Sequence, residues 1–331
     1  MIINGSSKII GLGISLPNQR VSSISLMEEI ESERRFGIPH DWIDRRVGIV
    51  ERRVAAEGTK TSDLAYEASI NAINNAGITN DDLDMILYCG IEGDVIEPGT
   101  AHFIQNRLQT NASCLDIRNA CQGMISGLAV ANAMIASGAI ETALICSGEL
   151  TSRVMFNFMR EISSRPDEYM RDRLGFLTVG DAGSAIVLRK ADSDAGVQKI
   201  IFDSRGEYAD FCYYKYVNEV IEGQMLMRGI TEKIASIHFG MISNTYHYLD
   251  WEPRDVDHLL CHQVGAKSLE KLCEIAEVPI HKAPAIYKDF GNITTCTIPL
   301  SLYFAKPNKG DKILLIGGGS GLSSYQGGII W

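Results

Sequence analysis

Three residues have side chains suited to thioester chemistry: Cys121, His262 and Asn292. Cys121 stands in RNACQGMISGL (118–128), where an extended segment gives way to a helical pattern. A thiol at a helix N-terminus faces peptide dipoles that favour the thiolate, and a thiolate attacks thioesters well. The imidazole of His262 accepts or donates a hydrogen bond, and the amide of Asn292 donates one. Once Cys121 is acylated, both are free to bind the oxygen of an enolate formed from a second thioester. The GGGSG segment (317–321) reads as a turn whose bare backbone can serve as an oxyanion hole. Each signal alone has a plain alternative. A solitary cysteine or histidine in an apolar run is ordinarily a packing residue, and GGGSG lacks the Lys-Ser/Thr ending of a phosphate loop.

The elements around these residues make the set more than the sum of its parts. TSDLAYEASINAINNAG (61–77) places Leu64, Ala65, Ala68, Ala72, Ile73 and Ala76 on one helical face, with Gly77 as the stop. LDMILYCG (83–90), TALICSG (142–148) and GSAIVLRK (183–190) read as buried strands, and 121–137 as a helix. The second half repeats the order. VDHLLCHQ (256–263) echoes LDMILYCG, and DKILLIGGGSG (311–321) echoes ETALICSGE (141–149). Asp84 and Asp257 are 173 residues apart, and Ile145 and Ile316 are 171 apart, so two elements recur at nearly one offset. Alternating helices and buried strands make each half an α/β layer. The expected halves are residues 1–190, with the cysteine, and 191–331, with the histidine and asparagine. Cys121 and Asn292 are also 171 apart, so each is expected to follow a strand and open a helix. Packed about a pseudo-twofold axis, the two helix N-termini meet near the centre.

Composition narrows the function. The 331 residues carry a formal net charge of -10, which argues against nucleic acid as a partner, although DRRVGIVERR (44–53) is a local basic patch. None of the eight cysteines forms a CxxC pair, so no metal site is expected, and most lie in apolar runs as reduced thiols do in a cytosol. No run approaches the ~20 apolar residues of a membrane span, and MIINGSSKIIGLG lacks a signal-peptide layout. A cytoplasmic protein is the expectation.

With these residues in place, the chain resembles the ketoacyl synthase III branch of the thiolase superfamily over nearly its whole length. HDWIDRRVGIVERRVAA (40–56) resembles that family's N-terminal segment, and NACQGMISGL (119–128) its nucleophile segment. VGDAGSAIVL (179–188), HQVGAKSL (262–269), GNITTCTIP (291–299) and LLIGGGSGL (314–322) match its other landmarks in order. The resemblance implies a five-layered αβαβα fold with duplicated halves and a homodimer. It also implies Cys121 as nucleophile with His262 and Asn292 as its partners, and the N–H groups of Cys121 and Gly318 as the oxyanion hole. Trp42, Arg46 and Arg173 match positions that contact the pantetheine-nucleotide end of coenzyme A in the family, and Lys267 matches a carrier-protein docking position. No cofactor is implied beyond the phosphopantetheine of acyl carrier protein or coenzyme A that carries the substrates.

One segment departs from the enzymes that prime fatty-acid synthesis. In IEPGTAHF (96–103), Glu97 stands where those enzymes usually carry an aromatic residue before the proline. In the family this loop reaches the partner subunit's acyl pocket. A glutamate there is similar to the head-to-head condensing enzymes of olefin and α-pyrone biosynthesis. A malonyl substrate makes its carbanion by losing carbon dioxide, whereas an unactivated α-carbon needs a base, and Glu97 is the expected one. The other reading of Glu97 is a carboxylate favouring a helix N-terminus beside Pro98. The expected function is therefore a Claisen condensation of two acyl thioesters through an acyl-Cys intermediate. The alternatives are a decarboxylative β-ketoacyl synthase III, an acyl-Cys acyltransferase or thioester hydrolase, and a non-catalytic subunit of a larger synthase. The segment 210–229, rich in aromatic residues and methionine, is the expected wall of a chain pocket.

Overall fold

The computed structural model describes residues 1–164, 173–217 and 220–331. Its strands are β1 (Ile2–Asn4), β2 (Ser7–Ser15), β3 (Gln19–Ser22), β4 (Glu51–Val54), β5 (Met85–Tyr88), β6 (Ser113–Asp116), β7 (Thr142–Glu149), β8 (Ala182–Lys190), β9 (Gly196–Ser204), β10 (Cys212–Val217), β11 (Val220–Met225), β12 (His258–Cys261), β13 (Lys312–Gly319) and β14 (Ser323–Ile330). Two five-stranded sheets carry the fold, in the orders β2-β8-β7-β5-β6 and β1-β9-β14-β13-β12. The pairings repeat. β2–β8 and β9–β14 are antiparallel, as are β8–β7 and β14–β13, while β7–β5 and β13–β12 are parallel. The duplication read from two sequence echoes thus extends to four strands in each half. Only the edges differ. β6 has no counterpart, and β1, from the N-terminus, joins the edge of the second sheet.

Buried helices fill the space between the sheets. Gly123–Ala136 packs against strands of both sheets, and Thr297–Ala305 lies against β12, β2 and β8. Both read as apolar all round, as helices covered on two sides must. Thr61–Ala76 and Thr100–Leu108 cover the outer face of the first sheet, and Met227–Leu249 with Ala266–Ala276 cover the second. This is the five-layered αβαβα architecture of the thiolase fold.

The alanine face of Thr61–Ala76 has a specific cause. Ala65, Ala68 and Ala72 are fully buried, and the helix backbone lies so near β2 that a Cβ on Gly13 would sit 2.0 Å from the Ala68 carbonyl. Small residues on both partners let helix and sheet close without a void. The expected basic patch is only partly a surface. Arg52 is fully buried, donating to the Val21 and Leu177 carbonyls and to Ser23 Oγ at 2.9–3.2 Å, so it ties the N-terminal layer together. Among the described residues, no helix is long and apolar enough to cross a membrane.

Candidate active site

Cys121 sits on a sharp turn rather than inside a helix. Ala120 adopts φ +46°, and the helix begins two residues past the cysteine, at Gly123. The turn fits because Gly123 has no side chain: a Cβ there would meet the Cys89 carbonyl at 2.0 Å. The same device recurs at the duplication offset. Gly291, before Asn292, has φ +67°. Asn292 does not follow a strand, however, as the duplication led one to expect. It follows the short helix Tyr287–Phe290, makes an isolated bridge with Val179, and precedes the turn Thr294–Cys296 and the helix Thr297–Ala305.

Cys121, His262 and Asn292 line one cavity, together with Gly318, Gly319, Cys212, Met225 and Met227. Much of its remaining wall comes from the helices Met227–Leu249 and Ala266–Ala276, including Ile234 and Lys271, with Val264 and Ser320 beside them. Asn292 is oriented by its neighbours. Thr294 N–H donates to Asn292 Oδ1 at 3.0 Å, which leaves Nδ2 as the donor on offer, and the Asn292 N–H donates to the Thr178 carbonyl at 2.9 Å. His262 follows β12, held by its own N–H donating to the Ile316 carbonyl at 3.0 Å. Its Nδ1 is buried without a partner. Burial lowers its pKa to about 4, with a Thr294 backbone hydrogen bond acting in the opposite direction, so the ring is neutral at physiological pH.

The thiol itself corrects an expectation. The helix N-terminus does not make Cys121 a ready thiolate. Burial, then the nearby Cys212 and Glu149, push its pKa well above that of a free cysteine. A neutral thiol beside a neutral imidazole needs the imidazole to take its proton as it attacks, and His262 in its uncharged form can do so. Gly318, the expected second oxyanion donor, lines the cavity beside Gly319. Gly317–Gly319 belong to β13 rather than to a turn. A Cβ on Gly319 would lie 3.1 Å from Cys121 N, whereas one on Gly318 would meet Ile234, so Gly319 is the glycine that closes against the cysteine.

Glu97 is not among the residues lining this cavity. It stands on an exposed loop between β5 and the Thr100–Leu108 helix, beside Val95 and the fully exposed Ile96. Its structural alternative falls away. The helix N-terminus is served by Asp116, which accepts from Thr100 N–H at 2.6 Å and Ala101 N–H at 2.9 Å. The loop's base is pinned: Asp94 accepts from Thr61 Oγ1 at 2.8 Å and Ser62 N–H at 3.0 Å.

Trp42, Arg46, Arg173 and Lys267 also lie outside the cavity lining. Trp42 opens a helix, Trp42–Val47, that packs against Ala266–Ala276 at the cavity's flank, and Arg46 and Lys267 are exposed. The expected chain wall is carried in part by the β10–β11 ribbon, through Cys212 and Met225. Residues 218 and 219 of that segment lie outside the described residues.

Glu149 is the residue that sequence reasoning missed. It ends β7, a strand buried along its whole length, and is 1% exposed. Its Oε1 accepts from Thr295 Oγ1, from Ser147 Oγ at 3.3 Å and from Ile91 N–H at 3.3 Å. Burial raises its pKa to about 7 despite these donors. The signal was in ETALICSGE: a carboxylate closing a strand buried on both faces.

Comparison with known proteins gives the site its context. The profile of 3-oxoacyl-[acyl-carrier-protein] synthase III matches residues 115–206, and the profile of that family's C-terminal region matches 247–330. Beta-ketoacyl-[acyl-carrier-protein] synthase III of Rickettsia massiliae is 30% identical over 338 aligned positions, covering 98% of this chain and 99% of its own. A synthase III from Halalkalibacterium halodurans is 28% identical, covering 88% and 89%. Among solved structures, OleA of Xanthomonas campestris bound to cerulenin superposes with a TM-score of 0.92 at 23% identity, covering 99% of this chain and 98% of its own. OleA with lauric acid and lauroyl-CoA gives 0.92 at 22%, covering 98% and 99%. These structures share the fold. Together with the motifs and the Cys-His-Asn cavity, the full-length match to the Rickettsia enzyme establishes that the chain belongs to the β-ketoacyl-[acyl-carrier-protein] synthase III family of condensing acyltransferases.

Proposed function

We propose that the protein is a homodimeric ketosynthase that joins two acyl thioesters head to head, giving a β-ketoacyl product or an α-pyrone or dione derived from it. The observation that carries this reading is Glu97: a carboxylate on a protruding loop, pinned at its base by Asp94, excused from helix capping by Asp116, and flanked by exposed Val95 and Ile96. Such a loop suits insertion into a second subunit, and a carboxylate at its tip suits abstraction of an α-proton. OleA, whose structure includes a complex with lauroyl-CoA, shares the fold and is consistent with long acyl chains as substrates.

Cys121 gives its proton to His262 as sulfur attacks the first thioester, and the leaving pantetheine thiolate takes that proton. Glu97 of the partner subunit removes an α-proton from the second thioester. His262 and Asn292 Nδ2 hold the enolate oxygen, while the N–H groups of Cys121 and Gly318 hold the oxyanion formed when the α-carbon attacks the acyl-Cys. Collapse expels the Cys121 thiolate, which recovers the proton held by Glu97. No metal or redox cofactor enters. The acyl groups arrive on the phosphopantetheine of acyl carrier protein or coenzyme A, with Trp42, Arg46, Arg173 and Lys267 as contacts outside the cavity. The second reading is decarboxylative condensation with malonyl-acyl carrier protein; the relatives, beta-ketoacyl-[acyl-carrier-protein] synthases III, support a carrier-protein thioester as substrate.

Mass spectrometry after incubation with acyl-CoA, acyl-carrier-protein and malonyl-carrier-protein panels decides between them. An acyl increment on the Cys121 peptide, with a condensed product from two non-malonyl thioesters, is the expected result. Products formed only when a malonyl thioester is present overturn the head-to-head reading.

A further inference from the structure

Glu149 is a buried carboxyl with three anchors on three different elements. Ile91 begins the loop that carries Glu97, Ser147 lies on the same strand, and Thr295 belongs to the turn that follows Asn292. Ser147 Oγ and Thr295 Oγ1 are themselves 2.6 Å apart, so the hydroxyls and the carboxyl form one closed group. Gly123, at the start of the nucleophile helix, packs on the same place: a Cβ there would be 3.2 Å from Thr295 Cγ2.

Titratable groups of several elements feel this carboxyl. They are Tyr88 and Cys89 at the end of β5, Glu92 on the loop, Cys121 on the elbow, Tyr214 on β10 and Cys296 in the Asn292 turn. Each is neutral or negative. An ionised Glu149 therefore gains nothing from these neighbours and adds an anion beside a thiol that must itself become an anion to react.

We propose that Glu149 is a positioning residue: as a neutral carboxyl it fastens the Glu97 loop and the Asn292 turn beside the Cys121 elbow, and as a carboxylate it opposes formation of the Cys121 thiolate. It touches no reacting atom and acts through the cysteine. The inference rests on Cys121 being the reacting thiol, but not on which thioesters it joins.

Alkylation of Cys121 by iodoacetamide, followed on its peptide by mass spectrometry from pH 5.5 to 9, reads the thiolate directly. Glu149→Gln keeps the size and hydrogen-bonding capacity of the side chain and removes the charge. Below about pH 6 wild type and variant should react alike, because Glu149 is then protonated. Above pH 8 the variant should react about tenfold faster, the equivalent of one pKa unit on the thiol. Thr295→Val removes a hydroxyl that favours the carboxylate, so the inflection in wild-type reactivity should move to higher pH. This second variant tests the idea even if Glu149→Gln does not fold. A variant-to-wild-type ratio that stays flat from pH 5.5 to 9, or an inflection unmoved in Thr295→Val, overturns the proposal. If the predicted ratio is found but no acyl thioester loads Cys121, the positioning role stands and the ketosynthase reading of this site fails.

Discussion

At the scale of single residues, the site separates loading from condensation. Cys121→Ala removes the only group assigned to hold the acyl chain, and acyl loading should vanish while circular dichroism stays unchanged. Asn292→Ala should still load an acyl chain but lose carbon–carbon bond formation by about a hundredfold or more, because its hydrogen bond strengthens as the enolate forms, whereas His262→Ala should slow both steps, since His262 also takes the proton of the buried Cys121 thiol. Single-turnover assays that follow loading and condensation separately make the check. Wild-type condensation in either variant would remove that residue from the mechanism. Asn292 is the better defined of the two, since Thr294 holds its oxygen and so fixes its nitrogen as donor.

At the scale of elements, the elbow and the Glu97 loop each support a prediction. Gly123→Ala places a methyl 2.0 Å from the Cys89 carbonyl, a backbone atom that cannot step aside. Overpacking of this kind costs about 1–3 kcal/mol, and chemical denaturation should show it together with slowed acylation, since the cysteine is two residues away. Glu97→Gln keeps the shape of the loop and removes only the proton acceptor. Loading of Cys121 should persist, and condensation of non-malonyl thioesters should fall ~10²–10⁴-fold. Mixed dimers of Glu97→Gln and Cys121→Ala subunits should recover one working site, with the cysteine from one subunit and the glutamate from the other. Inactive mixed dimers formed from well-folded subunits would show that Glu97 does not act across an interface.

At the scale of the whole molecule, the buried carboxyl leaves a pH signature in stability. The pKa of Glu149 rises from 4.5 to about 7 on folding, so between those values the native state binds more protons than the unfolded chain. Stability contributed by that proton is full below pH 4.5 and is lost as pH rises through 7, by up to about 3 kcal/mol. His262 runs the other way. Its folded pKa is depressed from 6.5 to about 4, so its share is present above 6.5 and lost as pH falls toward 4. Urea titrations of wild type and Glu149→Gln isolate the first effect, since His262 is common to both. The variant should gain relative to wild type from pH 5 to pH 8, and a constant difference would mean that Glu149 is ionised throughout.

The sequence by itself determined the alternating strands and helices and the duplication, and its resemblance to a known family pointed to the five layers and to Cys121, His262 and Asn292 as the trio. Continuous apolar strands, an alanine-faced helix and repeated segments at an offset of 171 to 173 residues are local or periodic signals, and local signals survive without coordinates. Only the tertiary structure decided how those residues are tuned. The helix N-terminus favours a thiolate, but burial outweighs it at Cys121, and burial is a property of everything packed around the thiol. Gly319 rather than Gly318 closes on the cysteine because the register of β13 against β14 sets which glycine faces it. Glu97 lost its capping alternative to Asp116, a residue 19 positions away in sequence. Glu149 stayed hidden for the same reason: its partners Ile91 and Thr295 lie 58 and 146 residues away, and no spacing in the chain brings them together until the two sheets stack.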